Sequence, residues 1–253
     1  MRVLVTRPAP QAAGWVARLR DEGIDAVALP LICIGPAADP AAVHDAWASL
    51  ATRRLVVFVS PNAAEQFMAA RPEGAAWPDG VQAGSTGPGT TQALRRCGVP
   101  QEQIVEPAAE SAQFDSEALW RQLRRSSWQG APVLIVRGDG GREWLADTLR
   151  EHGARVALLA AYRRSAPELD APGRALLQAA LDAPRSHLWF FSSSEAIANL
   201  AALAGDAADW SQARALATHP RIAARAQQLG LAQVTLTRPT LAAVSACIQS
   251  MAP

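Results

Sequence analysis

Apolar residues gather in short stretches: RVLVT (2–6), AVALPLICI (26–34), RLVVFVS (54–60), VQAGSTG (81–87), QIVEP (103–107) and PVLIVR (132–137). Runs of this length are too short for helices and lack the alternation of a half-exposed strand, so they predict strands buried on both faces. Between them, PQAAGWVARLRDEG, a stretch starting near Asn62, GTTQALRRCG and SEALWRQLRR repeat apolar positions every three or four residues and predict amphipathic helices. Gly23 and Gly98 supply the residue type that closes a helix in the left-handed conformation. Strand followed by helix, over and over, predicts parallel sheets covered on both faces in the flavodoxin-like manner.

The pattern recurs. FVSPNA around Phe58 matches FSSSEA around Phe191 at an offset of 133, aligning Ser60 with Ser193, Asn62 with Glu195 and Ala63 with Ala196. Pro88 and Gly98 meet Pro220 and Gly230 at 132, as Pro107 meets Pro239, while Arg7 and Gly23 meet Arg137 and Gly153 at 130. Four segments in one order at nearly constant spacing read as an internal duplication of a unit about half the chain long. A boundary near Gly130 would cut between the repeats. The Pro-rich, polar stretches IGPAADP (34–40) and RRSAPELDAP (163–172) favour an exchanged layout instead. In that layout 1–34 joins 172–253, 40–160 forms the other domain, and 35–39 and 161–171 connect them. The repeat pattern accommodates both layouts.

Composition narrows the chemistry. The 253 residues are 49% hydrophobic, enough for one large core or two small ones, and the net charge of +1 gives no global field toward nucleic acid or an anionic membrane. All 24 basic residues are arginine, which excludes Schiff-base, pyridoxal-phosphate and Walker-type lysine chemistry. Cys33, Cys97 and Cys247 are scattered in apolar settings and read as buried, reduced thiols. His44, His152, His187 and His219 show no metal-ligand spacing, and no metal is expected. The opening MRVLVTRPAP reads directly as a strand, and no apolar run approaches a membrane span, so a cytoplasmic protein with no membrane partner is expected.

In open parallel sheets the loops after the strands line the ligand crevice, and the helices that follow present unpaired backbone N–H groups. Here those loops are TRPAP, SPNA, TGPGT, VRGDGGRE, SSSEA and THPRI, all rich in capping residues. Arg7 and Arg137 each sit just past a hydrophobic strand, where the expectation is a charge aimed at the crevice and an anion held by arginine and backbone amides. RGDGGRE lacks the third glycine of a dinucleotide fingerprint, since Glu143 stands there, and no Gly-x-Ser-x-Gly appears. Tyr162, the only tyrosine, lies at the end of the run LLAAYRR, where a phenol facing the crevice would offer a proton without carrying charge.

Taken together, VLVTRP, FVSPNA, GPGTTQALRRCG, VLIVRGDGGREWLADTLREHGARVALLAAYRR and FFSSSEAIANL resemble the uroporphyrinogen-III synthase family in its bacterial form, over essentially the whole chain. The resemblance implies two flavodoxin-like α/β domains joined by a two-strand connector in the exchanged layout. It implies a cofactor-independent lyase of porphyrin biosynthesis whose substrate is hydroxymethylbilane, a linear tetrapyrrole with eight carboxylates; a monomer is expected because the internal duplication already supplies two walls. A non-catalytic tetrapyrrole- or anion-binding module is the alternative. By the same resemblance Tyr162 matches the tyrosine that assists departure of the substrate hydroxyl. Ser60 and Ser193 match the capping serines, and Thr90 matches a threonine near substrate. Arg7, Arg137, Gly138, Asp139, Gly140 and Arg142 lie in loops expected near substrate carboxylates, with Asn62, Gly87, Ser194 and His219 beside them. Ile222 stands where the repeat aligns Thr90, so His219 and Arg221 or backbone amides are expected to serve that loop.

Overall fold

The computed structural model describes residues 1–251. They divide into two compact units, one made of Met1–Cys33 and the chain from Ser165 onward, the other of Ile34–Arg164. The first unit contains β1 (Arg2–Val5), α1 (Ala9–Asp21) and β2 (Ala26–Ala28). After the second unit it resumes with α7 (Ala171–Asp182), β9 (His187–Phe191), α8 (Ser194–Ala204), β10 (Arg214–Ala217), α9 (Pro220–Leu229), β11 (Gln233–Leu236) and α10 (Leu241–Ser250). Its sheet runs β2-β1-β9-β10-β11 with the pairings of these strands all parallel, the strand order of flavodoxin-like folds.

The second unit holds β3 (Cys33–Pro36), α2 (Pro40–Ala48), β4 (Leu55–Phe58), α3 (Pro61–Ala69), β5 (Gln82–Ser85), α4 (Pro88–Arg96) and β6 (Ile104–Val105). It continues through α5 (Ser116–Leu123), β7 (Pro132–Gly138), α6 (Trp144–Glu151) and β8 (Arg155–Ser165). Its sheet runs β3-β8-β7-β4-β5-β6. Alternate residues of β4 and β7 feed two separate cores. Val56, Phe58, Leu134 and Val136 pack with Trp47, Phe67 and Leu94 on one face, whereas Leu55, Val57, Val133 and Ile135 pack with Leu119, Leu145 and Leu149 on the other. Burial on both faces is why these strands read as continuous apolar runs.

The repeat in the sequence is also a repeat in register. Val3 pairs with Ala26 in the first sheet and its repeat mate Val133 pairs with Val156 in the second. Val5–Phe190 corresponds in the same way to Ile135–Val57, and Arg214–Leu188 to Gln82–Leu55. The correspondence slips by two residues at the last strand, where Ala215–Val234 answers to Ala83–Ile104.

Two expectations need correction, the single strand at 26–34 and the burial of the cysteines. AVALPLICI is not one strand: it divides into β2 and β3, which belong to different sheets, and Pro30 lies between Leu29 and Leu31, which still donate to Val5 and Thr6 on the β1 side. Residues 35–36 and 161–165, placed in the two-strand connector, are strand residues of β3 and β8 in the second sheet; Pro36 is tolerated because β3 is an edge strand. Cys33 is exposed and Cys97 and Cys247 are half-buried; all three are free thiols. Among the described residues no helix is long and apolar enough to cross a membrane, and no group of three or more His, Cys, Asp or Glu could hold a metal ion.

Candidate functional site

Parallel strands bring their carboxyl ends, and the helix starts that follow, to one rim of each sheet. On the rim of the second unit, Ser60 caps α3 by accepting the Ala63 N–H at Oγ (3.0 Å). The same Oγ lies 3.1 Å from the Tyr162 hydroxyl. Tyr162 does not stand open to a crevice as expected: it is 3% exposed and belongs to the core. A β-bulge causes this. Arg137 pairs with Ala160 but Gly138 pairs with Tyr162, so Ala161 is an extra residue. Along β8 exposure alternates from Leu158 to Ala161, and the bulge then turns Tyr162 to the buried side. Its ring occupies the space above Gly138, where a Cβ would stand 3.0 Å from the tyrosine Cζ. The Asp139 N–H donates to the Tyr162 carbonyl (3.1 Å) and fastens the start of the glycine-rich loop to β8.

Arg137 is not free either. Its side chain is 11% exposed and donates to the carbonyls of Gly140 (Nε, 3.2 Å) and Gly141 (Nη2, 2.7 Å) and to Glu143 (Nη1, 3.3 Å). Three of its five N–H groups thus hold its own loop in shape. Arg142 makes a two-pronged pair with Glu117 (2.6 and 2.9 Å), which pushes its pKa above the ordinary arginine value.

Gly87 precedes α4 with an extended backbone; glycine is needed for space, since a Cβ would lie 2.9 Å from Phe114 Cβ. Thr90 is buried in the first turn of α4 and its N–H donates to the Gly87 carbonyl (3.0 Å). The neighbouring side chain makes the stronger network: Thr91 Oγ1 donates to Glu106 (2.6 Å) and meets Ser85 Oγ (2.9 Å), which itself donates to the Gly87 carbonyl (2.9 Å). Sequence reasoning missed Ser85, Thr91 and Glu106. Their only sequence signal is polar residues at positions that the strand and helix periods turn inward. Asn62 lies half-buried in the first turn of α3.

In the first unit, Arg7 follows β1 with its guanidinium 4.9 Å from the Trp15 ring and 5.8 Å from that of Phe190. Burial lowers its pKa from the ordinary arginine value to about 10, and its Nε is a buried donor with no partner among the described residues. Nη1 reaches Gln11 at the limit of hydrogen bonding, 3.5 Å. Ser193 caps α8 through the Glu195 N–H (3.2 Å), with Ser194 following as the first helical residue. His219 caps α9, its Nδ1 accepting the Arg221 N–H (3.1 Å), which places the ring proton of a neutral imidazole on Nε2. Ile222, the repeat mate of Thr90, is buried as Thr90 is.

Of the eight helices that follow a parallel strand of the same unit, α3, α5, α8, α9 and α10 carry side-chain caps, whereas α1, α4 and α6 carry none. Both rims combine uncapped helix starts with arginine, an arrangement suited to anions.

The geometry defines a two-unit α/β protein with flavodoxin-like sheets and anion-competent rims. The family described as uroporphyrinogen-III synthase HemD matches residues 13–246, and the chain belongs to that family. It is 32% identical over 177 residues to the uroporphyrinogen-III synthase of Salmonella typhimurium, covering 70% of each protein. A mutant uroporphyrinogen III synthase from the extremely thermophilic bacterium Thermus thermophilus shares the fold at a TM-score of 0.57 and 16% identity, covering 99% of this chain and 96% of that one. The uroporphyrinogen-III synthetase of Helicobacter pylori 26695 matches over 100% of both chains, at a TM-score of 0.57 and 15% identity.

Proposed function

We propose that this chain is a uroporphyrinogen-III synthase that takes hydroxymethylbilane, removes water from its terminal hydroxymethyl group and closes the ring with ring D inverted. The family match from residue 13 to residue 246, spanning both units, carries this reading. Loss of hydroxide leaves an azafulvene cation that attacks ring D at its substituted carbon, and the spiro intermediate fragments and recloses as the type III isomer. The protein's part is positioning: a flexible chain must be held so that the spiro attack precedes simple closure. Arg7 is the best-supported carboxylate ligand, because a half-buried guanidinium with an unpartnered Nε gains most from a bound anion. Arg142 reaches substrate only by exchanging Glu117, and Arg137 acts through the loop it braces. No cofactor enters this scheme. We place the enzyme in the cytoplasm as a monomer, since the duplication already gives one chain two rims.

Freshly made hydroxymethylbilane is incubated with the protein, the products are oxidised, and type I and type III uroporphyrin are separated by chromatography. Protein-dependent type III is the expected result. Type I alone, at the spontaneous rate, overturns the enzyme reading and leaves a tetrapyrrole-binding module.

A further inference from the structure

Tyr162 is buried at 3% exposure, and Ser60 Oγ is the one polar group bonded to its hydroxyl among the described residues. Ser60 is half-buried at the rim, one residue before the start of α3. We propose that Ser60, not Tyr162, meets the departing hydroxyl of the substrate, with the Tyr162 phenol behind it as the proton source. The proposal rests on the synthase reading.

A serine hydroxyl has two lone pairs and one proton. One lone pair of Ser60 Oγ takes the Ala63 N–H at 3.0 Å. Two directions are open for the 3.1 Å contact to the phenol. If Ser60 donated, the phenol's own proton would be buried without an acceptor, which is costly. If Tyr162 donates, both lone pairs of Oγ are filled and the serine proton is left free to point outward. The second arrangement satisfies every group and leaves one mobile proton on the atom nearer solvent.

The step then balances. The C–O bond of the hydroxymethyl group breaks, its electron pair leaves with the oxygen, and that oxygen takes the Ser60 proton as Oγ takes the phenol proton. Water departs, leaving the azafulvene cation and the Tyr162 phenolate. No free alkoxide forms on serine, and the phenolate is reprotonated by the proton that the pyrrole sheds when the ring closes. Gly138 and the bulge at Ala161 act as positioning elements, since they seat the phenol against Ser60.

The test compares wild type with Ser60→Ala, Ser60→Thr, Tyr162→Phe and the double variant Ser60→Ala/Tyr162→Phe. It measures kcat and KM for formation of type III product from hydroxymethylbilane. Ser60→Ala is expected to lower kcat by about 100-fold with KM within about twofold, the usual range for a lost proton donor. Ser60→Thr, which keeps the hydroxyl, should recover most of that loss. Tyr162→Phe should cost no more than Ser60→Ala, and the double variant should be no slower than Ser60→Ala, because both residues serve one proton path. Asp39→Ala, which removes the comparable cap of α2 (Asp39 accepting the Ala42 N–H at 3.1 Å), controls for cap loss and should leave kcat unchanged.

Because Tyr162 is the only tyrosine, ultraviolet resonance Raman reads its phenol directly. The spectrum should report a donating hydroxyl in wild type that is lost in Ser60→Ala. A phenol that accepts, multiplicative losses in the double variant, or full turnover in Ser60→Ala would each overturn the relay while the synthase stands. Type I product alone from wild type overturns the synthase reading and the relay with it.

Discussion

Gly138 and Tyr162 face each other across the β7–β8 pair, and the tyrosine ring fills the volume that any side chain at 138 would occupy. The Gly138 backbone is not in the left-handed region, so the glycine is required for room and not for conformation. Gly138→Ala is expected to push the ring from Ser60, destabilising the protein by about 1–3 kcal/mol as overpacking does and lowering kcat as well. Urea unfolding and type III turnover check the two effects; a variant with wild-type values for both would show that the ring moves freely.

Arg7 presents the opposite relation between stability and function. At neutral pH it is a charge on Trp15 and Phe190 with an unpartnered donor, so Arg7→Met should stabilise the free protein by about 1 kcal/mol, after allowing for the lost ring contact, and raise KM severalfold. The pH dependence has a defined sign. The folded pKa is about 10, below that of the ordinary side chain. Above pH 10 the folded protein therefore sheds a proton that the unfolded chain keeps, and wild-type stability rises through that window. The advantage of Arg7→Met should be constant below about pH 10 and shrink above it, as read by denaturant unfolding at several pH values.

Thr91 holds Ser85 and Glu106 together behind the Gly87 turn. Thr91→Val keeps the volume and removes both bonds, so the cost should be about 1–3 kcal/mol in unfolding free energy, with kcat within about twofold. A large loss of turnover at unchanged stability would instead move Thr91 into contact with substrate.

Glu117 and Arg142 form an exposed pair, and such pairs contribute little to stability, about 1 kcal/mol or less. Glu117→Gln should therefore leave the midpoint of unfolding nearly unchanged while releasing Arg142 for an anionic ligand. A lower KM for hydroxymethylbilane, lost again in Glu117→Gln/Arg142→Gln, is the expected outcome.

Much of this architecture is written in local chemistry. Strand runs, helix stops and the order of elements follow from burial on both faces and from glycines such as Gly23, Gly98, Gly153 and Gly230, all of which adopt positive φ. Because side-chain spacing and pairing repeat together, the duplication carried register as well: Val3 with Ala26 and Val133 with Val156 are one relationship at two places. The caps Ser60 and Ser193 were equally legible, since a capping hydroxyl acts on the backbone within three residues.

What depended on distant parts of the chain was not legible. Pro30 marks a break, but only assembly of the two sheets sends β2 to one and β3 to the other. Arginine at the end of a strand is the same residue in any sequence reading; tertiary contacts make Arg137 a brace, Arg142 a partner of Glu117 and Arg7 a half-buried cation against Trp15. The strict period of two would leave Tyr162 on the exposed side with Leu158 and Ala160. A single extra residue, Ala161, reverses it, and a bulge is a property of two paired strands, absent from either one alone.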